Sequence, residues 1–129
     1  MRSSYQIVVD HYAASDRGDI DGMMADVAPD IAWTEMAGFP CAGTYVGPAA
    51  IIEGVFKRLG TEWEDYTFKL QTLVDGGDIV VGIGDYSGRY PRTGKSFVSR
   101  VVHVWRLDGQ KIRGFEQFTD TLLVANAMR

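Results

Sequence analysis

Glu35 and His103 are the side chains whose types and surroundings point most directly to acid–base chemistry. Glu35 ends an alternating segment, Asp30-Ile31-Ala32-Trp33-Thr34-Glu35-Met36, in which Ile31, Trp33 and Glu35 share one face of a strand. If Ile31 and Trp33 face a core, the carboxylate faces it too. Burial then raises its pKa and makes it a stronger base near neutral pH. His103 alternates with Ser99, Val101 and Trp105, while Arg100, Val102, Val104 and Arg106 take the opposite face. The first face reads as a cavity wall and the second as a solvent or subunit surface. A histidine so placed can donate to a developing oxyanion or shuttle a proton. The plainer alternatives are a solvated or arginine-paired carboxylate at a strand end and a core histidine satisfied by a neighbour.

Other residues bear on the same cavity. Tyr12 lies on an apolar helical stripe, where core packing is its default role, and the adjacent His11 reads as solvated. Trp33, Tyr86, Trp105 and Phe118 supply aromatic surface on the sheet. With Tyr12 they are the expected contacts of a flat, apolar small ligand. Asp120 reads as the cap of a tail helix. Cys41 is the only cysteine, so it has no internal disulfide partner, and no local base makes it a nucleophile. With only His11 and His103 as histidines, no metal-site spacing exists, and no cofactor is expected. The net charge is −4 with lysine and arginine scattered, which argues against a nucleic-acid footprint. No apolar run is long enough to span a membrane. The first residues, Met1 to Gln6, are too polar for a secretory signal, so a cytoplasmic location is expected.

These residues need elements to position them. A chain of 129 residues, 46% apolar, fits a single domain over 1–129. Tyr5, Val8, Val9, Tyr12 and Ala13 recur at helical spacing, with Ser3 and Gln6 as a capping box. Gly18 ends that helix, Asp19 caps a second through Val27, and Pro29 stops helical structure. After the Glu35 strand, 37–46 is rich in glycine, proline and aromatics and reads as an irregular, mobile flap. Gly47-Pro48 opens a third helix with Ile52, Val55, Phe56 and Leu59 as its stripe and Gly60 as its stop. Strands are expected at 64–74, 78–88, 96–107 and 111–118, joined at Asp75-Gly76-Gly77-Asp78, Pro91-Arg92-Thr93-Gly94 and Asp108-Gly109. In the second of these, Gly82, Gly84 and Gly88 share a face with Val80 and Tyr86. Glycine inside a strand marks a bend or a close approach; the pattern predicts a bend that wraps the sheet around a cavity, with relief of crowding against a helix as the plainer alternative. A short helix over 121–128 closes the chain. Helices followed by an antiparallel meander make an α+β order.

Several segments resemble signatures of one superfamily. Arg17-Gly18-Asp19-Ile20-Asp21-Gly22-Met23 resembles the turn between its first two helices. Ala28-Pro29-Asp30-Ile31-Ala32-Trp33 resembles the entry to its first strand, and Gly43-Thr44-Tyr45-Val46-Gly47-Pro48-Ala49-Ala50-Ile51 the entry to its third helix. Val102-His103-Val104-Trp105 followed by Asp108-Gly109-Gln110-Lys111-Ile112 resembles its closing strand pair. In this order, and over nearly the whole chain, they resemble the SnoaL-like, ketosteroid isomerase-like branch of the nuclear transport factor 2-like superfamily. The resemblance implies a cone-shaped roll: a strongly curved antiparallel sheet with three N-terminal helices covering a pocket. It places Glu35 where ketosteroid isomerases keep a catalytic aspartate and His103 near their second catalytic carboxyl. Their first-helix tyrosine falls at His11, one residue from Tyr12, which departs from the isomerase pattern. A limonene-epoxide-hydrolase site is disfavoured because Arg100 and His103 lie on opposite faces without an accompanying Asp. A scytalone-dehydratase site, also histidine plus carboxylate, would need a second histidine in the sheet.

The combined expectation is a small acid–base enzyme of isomerase, cyclase or dehydratase type acting on an apolar carbonyl-bearing metabolite. A non-catalytic ligand-binding or protein-interaction domain is the alternative, because fold does not fix function. The open face carrying Arg100, Val102, Val104 and Arg106 is expected to pair two copies into a homodimer. Light scattering at micromolar concentration should give twice the chain mass; a monomer would contradict it.

Overall fold

The computed structural model describes residues 1–129. Helices α1 (Ser4–Asp16) and α2 (Ile20–Met24) precede strands β1 (Val27–Glu35) and β2 (Gly43–Val46). A helical rod follows, formed by α3 (Pro48–Ile51), a π-helical turn (Ile52–Phe56) and α4 (Lys57–Glu62). Four long strands come next: β3 (Glu64–Gly76), β4 (Ile79–Tyr90), β5 (Lys95–Asp108) and β6 (Lys111–Thr119). Helix α5 (Thr121–Ala127) ends the chain. One curled sheet holds all six strands in the order β2-β1-β6-β5-β4-β3, and the whole is an α+β cone with the helices over its concave face. The pairings are antiparallel except β1 with β6, which is parallel, a departure from a purely antiparallel sheet.

Local chemistry accounts for most boundaries. The Ser3 hydroxyl accepts from the Gln6 N–H, and the Asp19 carboxylate accepts from the Gly22 N–H, so both helix starts are capped by their own side chains. Asp120 stands at the start of α5, but its side chain makes no capping hydrogen bond. The β5–β6 hairpin turns on Gly109 and Gln110, at φ of 56° and 62°, a pair of left-handed residues that suits the twist of the flanking strands.

Several expectations need correction. β1 begins at Val27, so Pro29 lies within the strand rather than before it. The helical rod runs past Gly60 to Glu62, and Ile51 and Val55 are its buried residues while Ile52 and Leu59 are only half-buried. The buried face of α1 is Ile7, Val8, His11, Tyr12 and Ala14, so Ala13 is exposed. Segment 37–46 is also not irregular throughout: 43–46 is strand β2, and Phe39 and Cys41 are core residues. The Tyr45 hydroxyl donates to the Cys41 carbonyl at 2.8 Å.

The glycines of β4 serve close approach. A Cβ on Gly82 would collide with the Tyr12 hydroxyl, and one on Gly84 would collide with the Lys69 carbonyl. The second position faces a break in the β3 register between Leu70 and Thr72, where β3 bulges. Crowding from a helix and from a neighbouring strand therefore both act, alongside the curl of the sheet.

The core is aromatic. Trp33 and Phe115 are register partners on β1 and β6, and their rings stack at 3.8 Å. Phe115 is also the partner of Trp105 on β5, at 4.6 Å, and Trp105 is the partner of Val80 on β4. This row crosses four strands on the concave face and forms the floor on which the cavity rests.

Candidate active site

A cavity of about 440 Å³ lies between this floor and the helices. Its wall includes His11 and Tyr12 from α1, Trp33 and Glu35 from β1, Phe56 from the π-helical turn, and Tyr66 and Phe68 from β3. Tyr86, His103, Trp105 and Phe115 complete it from the sheet. Of the side chains expected from the sequence, Glu35, His103, Tyr12, Trp33, Tyr86 and Trp105 all meet here. Phe118 does not: it is 45% exposed, on the opposite face of β6 from Phe115 and Gln117. The break at Arg106/Leu107 lies before it and does not alter that alternation.

Glu35 is the last residue of β1, and it is 3% exposed. Its Oε2 atom is buried with no hydrogen-bond partner. Burial pushes the carboxyl up from the usual range to about 8, with the Trp33 indole as the smaller, opposing cause. Trp33 Nε1 and the Tyr66 hydroxyl are likewise buried without partners. The cavity wall thus presents three unsatisfied polar groups, a carboxyl, an indole N–H and a phenol, against an otherwise aromatic surface. Leaving buried polar groups unpaired costs about 1–3 kcal/mol each, a cost that a bound partner relieves.

His103 sits differently. Its register partners are Gly82 on β4 and Gln117 on β6. Because Gly82 has no side chain, the Tyr12 hydroxyl reaches across it to His103 Nδ1 at 2.8 Å. Further along the same face of β4, beyond Gly82 and Gly84, Tyr86 brings its hydroxyl to Nε2 at 2.7 Å. Trp105 Nε1 donates to the Tyr12 hydroxyl at 2.9 Å, and Gln117 Nε2 donates to the Tyr86 hydroxyl at 3.0 Å. Burial holds His103 neutral, its pKa lowered to about 3, with the neighbouring His11 as a smaller cause. Both ring nitrogens are therefore committed, and His103 is not the free donor that its strand position suggests.

His11 is buried rather than solvated. Its Nδ1–H donates to the Met23 carbonyl at 2.9 Å, and burial lowers its pKa to about 4. The Cys41 thiol is pushed up to about 11 by burial, which suits packing rather than nucleophilic attack. No three His, Cys, Asp or Glu side chains converge as a metal ion would need. Gln117 and Tyr66 carry much of the site yet have no distinct sequence signal. Gln117 is the one polar residue alternating inward after Ile112 and Phe115 on β6, and Tyr66 shares a β3 face with Phe68.

Comparison with known proteins agrees with this architecture. The profile of the SnoaL-like domain matches residues 8–115, and the chain belongs to that family. An NTF2-like protein from Burkholderia thailandensis E264 is 67% identical, with 100% of this chain and 99% of that chain covered and a TM-score of 0.99. TerC, whose crystals were grown with polyporic acid, is 25% identical over 97% of both chains, with a TM-score of 0.84. A SnoaL-like polyketide cyclase candidate from Shewanella putrefaciens CN-32 shares the fold at 19% identity, over 99% of this chain and 97% of that one, with a TM-score of 0.79. No curated protein matches the sequence. No helix is long and apolar enough to cross a membrane.

The buried carboxyl has a thermodynamic consequence. Between about pH 4.5 and 8 the folded chain keeps the Glu35 proton that the unfolded chain releases, so stability falls as pH rises through that window. His11 and His103 act the opposite way: their folded pKa values are depressed, and stability is lost as pH falls below about 6.5. Glu35→Gln removes only the first effect. Denaturant unfolding should show the variant gaining about 4 kcal/mol on the parent between pH 5 and pH 9, since each pKa unit is about 1.4 kcal/mol. Parallel curves for the two proteins would show that Glu35 ionises normally.

Proposed function

We propose that this protein is an acid–base catalyst for an apolar, carbonyl-bearing metabolite, with Glu35 as the group that accepts the proton. The observation that carries this reading is the partnerless Glu35 carboxyl in an aromatic cavity. A carboxyl kept for structure would be paired, because an unpaired one destabilises the fold. Its raised pKa matches the requirement of a general base working near neutral pH.

In the first step Glu35 Oε2 takes a proton from carbon next to the substrate carbonyl, and the electron pair of the broken C–H bond moves to the carbonyl oxygen as an enolate. Glu35, now protonated, returns the proton to another carbon in isomerisation or gives it to a departing hydroxyl in dehydration. In aldol cyclisation the enolate carbon attacks a second carbonyl of the same molecule, the π electrons of that carbonyl move to its oxygen, and that oxygen takes the proton from Glu35. The three reactions share the first step. The cavity volume falls within the range of small-molecule sites, and the aromatic floor suits a flat ligand. The crystallisation of TerC with polyporic acid supports the same class of ligand. The outer sheet face, with exposed Val98 and Phe118 beside Arg100 and Arg106, supports pairing of two copies.

Deuterium exchange tests this with flat ketones as a class. In D2O, 2-tetralone and similar compounds should exchange their α-hydrogens in the presence of the protein. The rate should rise with pH through about 8, as Glu35 ionises. Glu35→Gln should slow the exchange by about a hundredfold or more. Binding of such ketones with no enhanced exchange would assign the chain to the non-catalytic ligand binders instead.

A further inference from the structure

The hydrogen bonds around His103 can be counted proton by proton. The Trp105 indole nitrogen can only donate, so it fixes one end of the chain by donating to Tyr12. The Gln117 amide is oriented by its own contact, since Oε1 accepts from the Met36 N–H at 3.4 Å; this turns Nε2 to the Tyr86 hydroxyl and fixes the other end. Between the two ends lie the contacts from Tyr12 to His103 Nδ1 and from His103 Nε2 to Tyr86. Neutral His103 has one ring proton. The row therefore holds a donor proton from the indole, the amide, the imidazole and each phenol, one more than its contacts can use.

The surplus falls on a phenol. If Nε2 carries the ring proton, it donates to Tyr86, Tyr12 donates to Nδ1, and Tyr86 accepts from both sides with its own O–H uncommitted. If Nδ1 carries it, the free O–H is that of Tyr12. The Tyr12 hydroxyl is hemmed in: it contacts the Trp105 indole and His103 Nδ1, and it lies so close to Gly82 that a Cβ there would collide with it. Tyr86 also lines the cavity, and its hydroxyl is thus the one left to turn a free O–H toward a ligand.

We infer that His103 is held as the Nε2–H tautomer and leaves the Tyr86 hydroxyl as a hydrogen-bond donor into the cavity, for a ligand oxygen that carries negative charge, a phenolate or an enolate. His103 and Gln117 are positioning residues: each acts on the ligand only by donating to Tyr86. The proton count does not depend on Glu35 being a base; the enolate as natural ligand rests on the function proposed above.

The test uses 4-nitrophenol, whose visible absorption reports its ionisation, with naphthalene as an uncharged ligand of similar shape, both at pH 7. In the parent protein the ring nitrogens of His103, followed by ¹⁵N NMR, should show a protonated Nε2 and a bare Nδ1. Tyr86→Phe should weaken 4-nitrophenolate binding roughly tenfold or more and leave naphthalene within about twofold. Tyr12→Phe should change phenolate binding by less than about threefold. The inference is overturned by an Nδ1–H tautomer, by a larger phenolate loss in Tyr12→Phe than in Tyr86→Phe, or by equal loss of both ligands in Tyr86→Phe. The NMR measurement needs no variant, and none of these readouts depends on deuterium exchange.

Discussion

The burial of one carboxyl without a partner is the constraint around which this protein is arranged. Glu35 ends a strand whose inward residues, Ile31 and Trp33, are held in the core, so its side chain is carried inward and almost wholly buried. An isolated charge in such a place is costly, and the group answers by holding its proton to a higher pH. The rest of the structure tolerates that cost because the aromatic rows of the sheet supply apolar burial around it. Trp33, Phe115 and Trp105 lock together across β1, β6 and β5, and they fix the position of the strand end that carries Glu35.

In the row of hydrogen bonds around His103 the problem is solved in the reverse way. His103, Tyr12, Tyr86, Trp105 and Gln117 are all buried, and each has a partner. A connected network of this kind is rigid, and its geometry follows from backbone register. Gly82 opposite His103 opens the gap through which Tyr12 reaches the imidazole, so a residue with no side chain sets the contact between a helix and a strand far apart in the chain. The cavity thereby combines a preorganised polar row with an unpaired acid. A fixed row of dipoles beside a poised proton acceptor is the arrangement on which the proposed enolate chemistry rests.

Much of this is legible in the sequence, for physical reasons that can be named. Alternation with Ile31 and Trp33 places Glu35 inward, and alternation with Val101 and Trp105 does the same for His103, because strand periodicity is a property of the backbone. Turn residues such as Asp108-Gly109 locate the hairpins. Phe118 goes astray because aromatic character is no guide to face; its alternation with Gln117 sends it outward. His11 looks solvated only if the apolar stripe of α1 is set one position round the helix. The roles of Gln117 and Tyr66, and the commitment of both His103 nitrogens, depend on which residues face each other across strands. Local sequence does not carry that information.

The ionisation of Glu35 bears most directly on the central claim. In protein labelled with ¹³C at the glutamate carboxyls, the Glu35 resonance is identified by its loss in Glu35→Gln and followed from acid to alkaline pH. A midpoint of about 8 is the expected result. A midpoint near the ordinary 4.5 would mean that the carboxyl is solvated or paired, and would contradict both the buried site and the chemistry built on it.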